Sequence, residues 1–158
     1  MQTPARIEKV AIIGVGSPFG ADRLGWDAVD WLERQELSKK FPDLHFEFSQ
    51  TDRPGALLLE QIRRADAAII LDAMQAGLSP GTLRTFTPDQ LSNKTGFTSS
   101  HGFGLAESIL LGSVLGQLPH FFSIIGIEMG DDMSMASFAD PPDDRLLGLV
   151  EQMLSSIP

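Results

Sequence analysis

Three side chains in the sequence could carry acid–base or metal chemistry. Asp22 lies in GVGSPFGADRLGWD, Asp72 ends the apolar run IILDAM, and His101 stands in SSHGFGLAE, before another apolar stretch. Two carboxylates and an imidazole can hold a borderline divalent cation such as nickel or zinc and leave coordination positions open. The same three groups can hold a water molecule between a base and an acid.

Each of these residues also has a simpler structural interpretation. Asp22 is placed to cap a helix that begins at residue 23. Asp72 could form a turn at a strand end, and His101 could be a helix-start residue. The other two histidines, His45 and His120, are predicted to lie at the surface. A shared site therefore depends on the elements that bring Asp22, Asp72 and His101 together.

Strand and helix patterns alternate along the chain. The predicted strands cover 8–16, 44–50, 66–74, 80–87 and 121–128, and the predicted helices cover 23–37, 55–64, 102–116 and 142–156. This alternation predicts an α/β fold in three layers, as a single domain over 1–158. We expect a mostly parallel, twisted sheet of about five strands with helices on both faces.

The order of the strands places the three candidate residues at one edge of this sheet. Strand 80–87 follows strand 66–74 too closely for a helical crossover, so we expect it to be antiparallel and at the side of the sheet. The carboxyl ends of the parallel strands share one edge, where ligands bind in such folds. Asp22, Asp72 and His101 all fall at that edge.

Composition excludes several classes of protein. The net charge of −9 argues against a nucleic acid or an anionic membrane as partner. The absence of cysteine excludes disulfides, cysteine-bound zinc and thiol catalysis. No apolar run approaches the roughly 20 residues of a membrane helix, and the N-terminal run is typical of a strand rather than a signal peptide. We therefore expect a cytoplasmic protein without a membrane segment.

The glycines after the first strand raise the alternative of a phosphate-binding loop. Gly14 and Gly16 fit the first two positions of G-x-G-x-x-G, but Phe19 occupies the third, and there is no Walker lysine. A simpler interpretation is that both glycines let the chain turn tightly off the strand. The sequence also lacks an H-E-x-x-H helix, so it gives no support to that metalloprotease mechanism.

Four motifs, taken together, resemble a known family. They are GVGSPFGADRLG, IILDAMQAGLSPGT, SSHGFGLAESIL and IIGIEMG. Over nearly its whole length, the chain resembles the maturation endopeptidases of NiFe hydrogenases, which carry similar motifs in the same order and at similar spacing.

The resemblance implies a function and a site. The family has an α/β fold, and its members are aspartyl-type hydrolases that remove a C-terminal peptide from the hydrogenase large-subunit precursor after nickel insertion. By motif position, the family's catalytic and nickel-sensing residues fall on Asp22, Asp72 and His101. The resemblance implies that nickel arrives with the substrate, and zinc or cadmium could replace it in a crystal.

Three departures from the family pattern lie in the first loop. Ser17 stands where the family has asparagine, Ala21 replaces the first acid of an acidic pair, and Arg23 replaces a glycine. Arg23 could offset the charge of Asp22 or bind a carboxylate. These departures leave open a non-catalytic nickel checkpoint or chaperone that binds the large subunit. A small-molecule or phosphate-binding α/β protein is the further alternative.

Overall fold

The computed structural model describes residues 6–17, 23–52, 55–92, 104–129 and 144–158. The strands in those ranges are β1 Lys9–Val15, β2 His45–Thr51, β3 Ala67–Met74, β4 Leu83–Phe86 and β5 Phe121–Glu128. The helices are α1 Leu24–Glu33, α2 Leu37–Lys40, α3 Ala56–Arg63, α4 Pro88–Ser92, α5 Leu105–Val114 and α6 Asp144–Ser155.

The strands form one mixed sheet in the order β2-β1-β3-β5-β4. All neighbouring strands are parallel except β4, which pairs antiparallel with β5. From β1 the chain moves out to β2, and it then crosses back over β1 to reach β3 on the other side. The direction of winding therefore reverses between β1 and β3, and such a reversal opens a crevice at the carboxyl ends of the two strands.

Helices cover both faces of the sheet. One apolar cluster joins α1 and α6 to the face that includes Ile12 and Ile69. The other joins α3, α4 and α5 to the face that includes Ile13 and Ile70. Because it is covered on both faces, β3 is buried along its whole length, as a continuous apolar run predicts. These observations confirm the predicted three-layer α/β fold.

Several local predictions needed correction. The helix predicted over 23–37 ends at Glu33, because Glu36 adopts a left-handed conformation with φ of 54° and the short α2 begins after it. Helix α4 was not predicted. The antiparallel edge strand is confirmed, although it is shorter than 80–87. His45 and His120 are exposed, as predicted.

Candidate active site

Asp72 lies near the carboxyl end of β3, at the winding reversal between β1 and β3. It is two residues from the end of β3, and its exposed fraction is 0%. Strand alternation places its side chain on the face of Ile70 and Met74, which α5 covers. Its partner on β5 is Gly126, where a Cβ atom would lie 2.7 Å from the Met74 sulfur. The carboxylate therefore lies on a closely packed face of the sheet.

Two glycines bring the start of α1 against the same strand ends. A Cβ atom on Gly25 would overlap the carbonyl oxygen of Val15 and would lie 2.7 Å from that of Leu71. A Cβ atom on Gly14 would overlap the carbonyl oxygen of Gly25. The tight-turn interpretation is therefore wrong for Gly14, which lies inside β1 and leaves room for the helix backbone. The close approach places α1 directly beside Leu71, the residue before Asp72.

Described residues on both sides of the β1–α1 connection bond to the end of β2. At one end, the Gly16 amide donates to the carbonyl oxygen of Thr51 at 3.0 Å. The Trp26 indole N–H of α1 donates to the same oxygen at 3.1 Å. At the other end, an Arg23 Nη2 atom lies 3.4 Å from Asp27 Oδ1. Arg23 thus has a carboxylate partner on its own helix, one turn further along the chain.

The entry to α5 is fixed by its own side chains. The Glu107 carboxylate accepts a hydrogen bond from the Gly104 amide at 2.7 Å. The Ser108 hydroxyl donates to the Gly104 carbonyl oxygen. Leu105 belongs to the apolar cluster that includes Met74. The helix that follows the SSHGFG segment therefore begins on the Asp72 face of the sheet.

Glu128 is a second buried carboxylate at this edge, and sequence reasoning gave it no role. It ends β5 with an exposed fraction of 1%, and its Oε2 accepts a hydrogen bond from the Ala76 amide at 2.8 Å. Its backbone exchanges hydrogen bonds with Thr82 and Gly81. Glu128 thus ties the segment after β3 to β5. In the sequence, the signal for this role is that Glu128 ends the strand FFSIIGIE, whose other residues are uncharged.

The structure tests the predicted site only in part. Asp72 lies where the sequence placed it, at the carboxyl edge of the sheet. Asp22 and His101 lie outside the described residues, so their approach to Asp72 stays a prediction. Within the described ranges, no cluster of three histidine or acidic side chains could bind a metal ion.

Asp66 lies at the opposite edge of the sheet, directly before β3. Asp66 Oδ2 accepts hydrogen bonds from the amides of Lys9 at 2.8 Å and Glu8 at 3.1 Å. These bonds, the one from Lys9 first, lower the pKa of Asp66 because they stabilise the ionised carboxylate. Asp66 therefore joins the starts of β1 and β3 and has a structural role.

Comparison with known proteins identifies the family. A family model described as hydrogenase maturation protease matches residues 54–138, which is more than half of the chain. The chain belongs to the hydrogenase maturation protease family. The matched range includes Asp72, His101 and Glu128, whereas Asp22 lies outside it.

Relatives of the chain carry names from hydrogenase formation. The chain is 27% identical over 123 residues to the hydrogenase expression/formation protein HupD of Thiocapsa roseopersicina, covering 76% of this chain and 54% of that protein. It is 28% identical over 145 residues to HupD of Bradyrhizobium diazoefficiens, covering 90% of this chain and 73% of that protein. The chain thus spans little more than half the length of the first of these relatives.

Solved structures share the fold. The solution structure of an endopeptidase from Escherichia coli has a TM-score of 0.63 at 19% identity, covering 93% of this chain and 90% of that one. The NiFe hydrogenase maturation protease HycI of Thermococcus kodakarensis has a TM-score of 0.60 at 21% identity, covering 96% of both chains. None of the helices that the structure describes here combines the length and apolar character needed to cross a membrane.

Proposed function

We propose that the protein is an endopeptidase that removes a C-terminal peptide from the large-subunit precursor of a NiFe hydrogenase after nickel insertion. The observation that carries the proposal is a fully buried aspartate, Asp72, at the winding reversal of a family-matched α/β sheet. Ligands of such folds bind at this reversal.

The described ends of two loops support a site made of Asp22, Asp72 and His101. Asp22 directly precedes Arg23 at the start of α1, where Gly25 packs against the carbonyl of Leu71. His101 stands three residues before Gly104, the N-cap of the helix that covers the Asp72 face. Three residues span at most about 11 Å of extended chain, so the sequence positions of Asp22 and His101 are compatible with a shared site at this edge of the sheet.

The proposed reaction is hydrolysis of one amide bond. A water oxygen attacks the scissile carbonyl carbon, the C–N bond breaks, and the water proton passes through a carboxylate to the leaving amine. Asp22 and Asp72 are the two candidates for this base. Burial favours Asp72 as a positioned group, because its carboxylate is held away from bulk water.

We propose that nickel is part of the substrate and reaches the site inside the precursor. Two carboxylates and an imidazole suit a borderline cation, and zinc or cadmium would compete for the same donors. When present, the ion would polarise the scissile carbonyl or a bound water. The residues of this chain would then report whether the metal has been inserted.

The test is the intact mass of the hydrogenase large subunit in the native host. The gene for this protein is left in place, deleted, or replaced by the His101→Ala variant. We expect deletion and His101→Ala both to leave a precursor that is heavier by a short C-terminal peptide. Normal trimming without this protein would refute the proposal for that subunit and favour a non-catalytic checkpoint.

A further inference from the structure

Helix α5 carries apolar side chains on the face that points away from the sheet. Its buried residues include Ser108 and Gly112, whereas Leu110, Leu111, Val114 and Leu115 are between 50% and 76% exposed. We call these four exposed residues the α5 stripe. A surface helix normally carries polar side chains on its outer face. Helix α6, on the other face of the sheet, follows that rule; its exposed residues are Asp144, Arg145, Gly148, Gln152 and Ser155.

Small residues of α5 face inward. A Cβ atom on Gly112 would lie 2.8 Å from a Leu59 methyl group and 2.9 Å from one of Leu118, so Gly112 faces these leucines and a larger residue would require them to shift. Ser108 is held by its bond to the Gly104 carbonyl. Ser108 and Gly112 thus lie on the inward face of α5, and the stripe lies on the opposite face.

The size of the stripe and the net charge of the whole chain favour a transient protein partner over a second copy of the chain. The exposed area of the four residues is roughly 400 Å², which is the size of the largest apolar patch on a typical monomer, and such patches are often functional. Covered by a partner, the stripe would bury about 800 Å² in total, whereas obligate dimers bury about 2,000 Å² or more. Two copies would also bring together two chains of net charge −9.

We infer that the α5 stripe is a docking surface for the folded protein whose tail this enzyme cleaves. This inference rests on the proposed function. Helix α5 begins on the Asp72 face and carries the stripe on its later turns, so one rigid element links the crevice to the stripe. A partner bound there would deliver its tail to the crevice. Docking lowers KM for the whole precursor and leaves the chemical step unchanged.

The test is a kinetic comparison with a purified, nickel-loaded large-subunit precursor. Leu111→Glu and Val114→Glu are made separately, and trimming is followed by intact mass over a range of precursor concentrations. We expect KM to rise at least about tenfold with kcat unchanged, since each change places a charge at the centre of an apolar contact. The matched control is Leu57→Glu on α3, the same substitution at a leucine that is 59% exposed. We expect it to match wild type.

The outcomes separate this inference from the proposed function. Trimming by Leu111→Glu with an unchanged KM overturns the docking surface and leaves the proposed function intact. If wild type does not trim the precursor, binding of each variant to the precursor is measured by calorimetry. Weaker binding by Leu111→Glu than by Leu57→Glu supports the docking surface, and equal or absent binding overturns it. A wild-type dimer that Leu111→Glu dissociates in sedimentation equilibrium also overturns it, because the stripe would then bind a second copy.

Discussion

The contact between Gly25 and the strand ends predicts that Gly25→Ala destabilises the protein. An added Cβ atom would overlap the Val15 carbonyl oxygen and lie 2.7 Å from that of Leu71, whereas real Cβ contacts are essentially never under 3.0 Å. Both obstacles are backbone atoms of buried strands, so they cannot rotate away as a side chain would. Helix α1 would have to withdraw from β1 and β3.

Two opposing terms set the size of the effect. Alanine is a better helix former than glycine, which favours the variant by about 1 kcal/mol. Overpacking in a well-packed interior costs typically about 1–3 kcal/mol, and more where neighbours cannot move. Because both neighbours are backbone, we expect a net loss of at least about 2 kcal/mol in the free energy of unfolding, or a fall in Tm of about 4–8 °C for a chain of this length.

The assay is urea denaturation of purified variants, with Gly148→Ala as the matched control. Gly148 lies in α6, and nothing lies within 4 Å of the position that its Cβ would take. The same substitution there should raise stability by about 0.5–1 kcal/mol through helix propensity. If Gly25→Ala is as stable as wild type or gains as much as Gly148→Ala, the close packing of α1 on the strands is refuted.

Three other variants test further contacts. The ionised Asp66 carboxylate stabilises the fold above its unfolded pKa, and this stability is lost as pH falls through the lowered folded pKa. Because Asp66 is exposed, solvent screening reduces the effect, so Asp66→Asn should cost at most about 1 kcal/mol at neutral pH, and the difference should vanish in acid melts. Glu128→Gln keeps an acceptor for the Ala76 amide, so in urea it should lose less stability than Glu128→Leu, for which we expect about 2–3 kcal/mol; equal losses would contradict this bond. Arg23→Gln should change the free energy of unfolding, measured in urea, by less than about 0.5 kcal/mol, since the ion pair of Arg23 with Asp27 is largely exposed. A larger loss of stability would show that Arg23 has a further structural role.

Sequence periodicity predicted the strands and long helices because each buries a regular apolar pattern. Strand β5 has the predicted bounds, and β3 was predicted to within one residue. The antiparallel β4 followed from the short connection after β3. The position of Asp72 followed from the rule that parallel strands end at one edge, which needs only the order of elements.

The features that sequence reasoning missed depend on contacts between distant parts of the chain. Helices α2 and α4 are only four and five residues long, too short to show a period. The role of Glu128 depends on the Ala76 amide, 52 residues away in sequence. The role of Gly25 depends on carbonyl groups of two strands, which no local pattern records.

The most direct test of the proposed activity uses purified protein and a nickel-loaded large-subunit precursor, with wild type compared to Asp72→Asn. Asparagine keeps the shape of the buried side chain and removes its charge and its capacity as a base. We expect wild type to release a C-terminal peptide, measured by intact mass, and Asp72→Asn to be slower by at least about a hundredfold. Unfolding in urea must confirm that the variant is folded. Equal rates in a folded variant would contradict a catalytic role for Asp72.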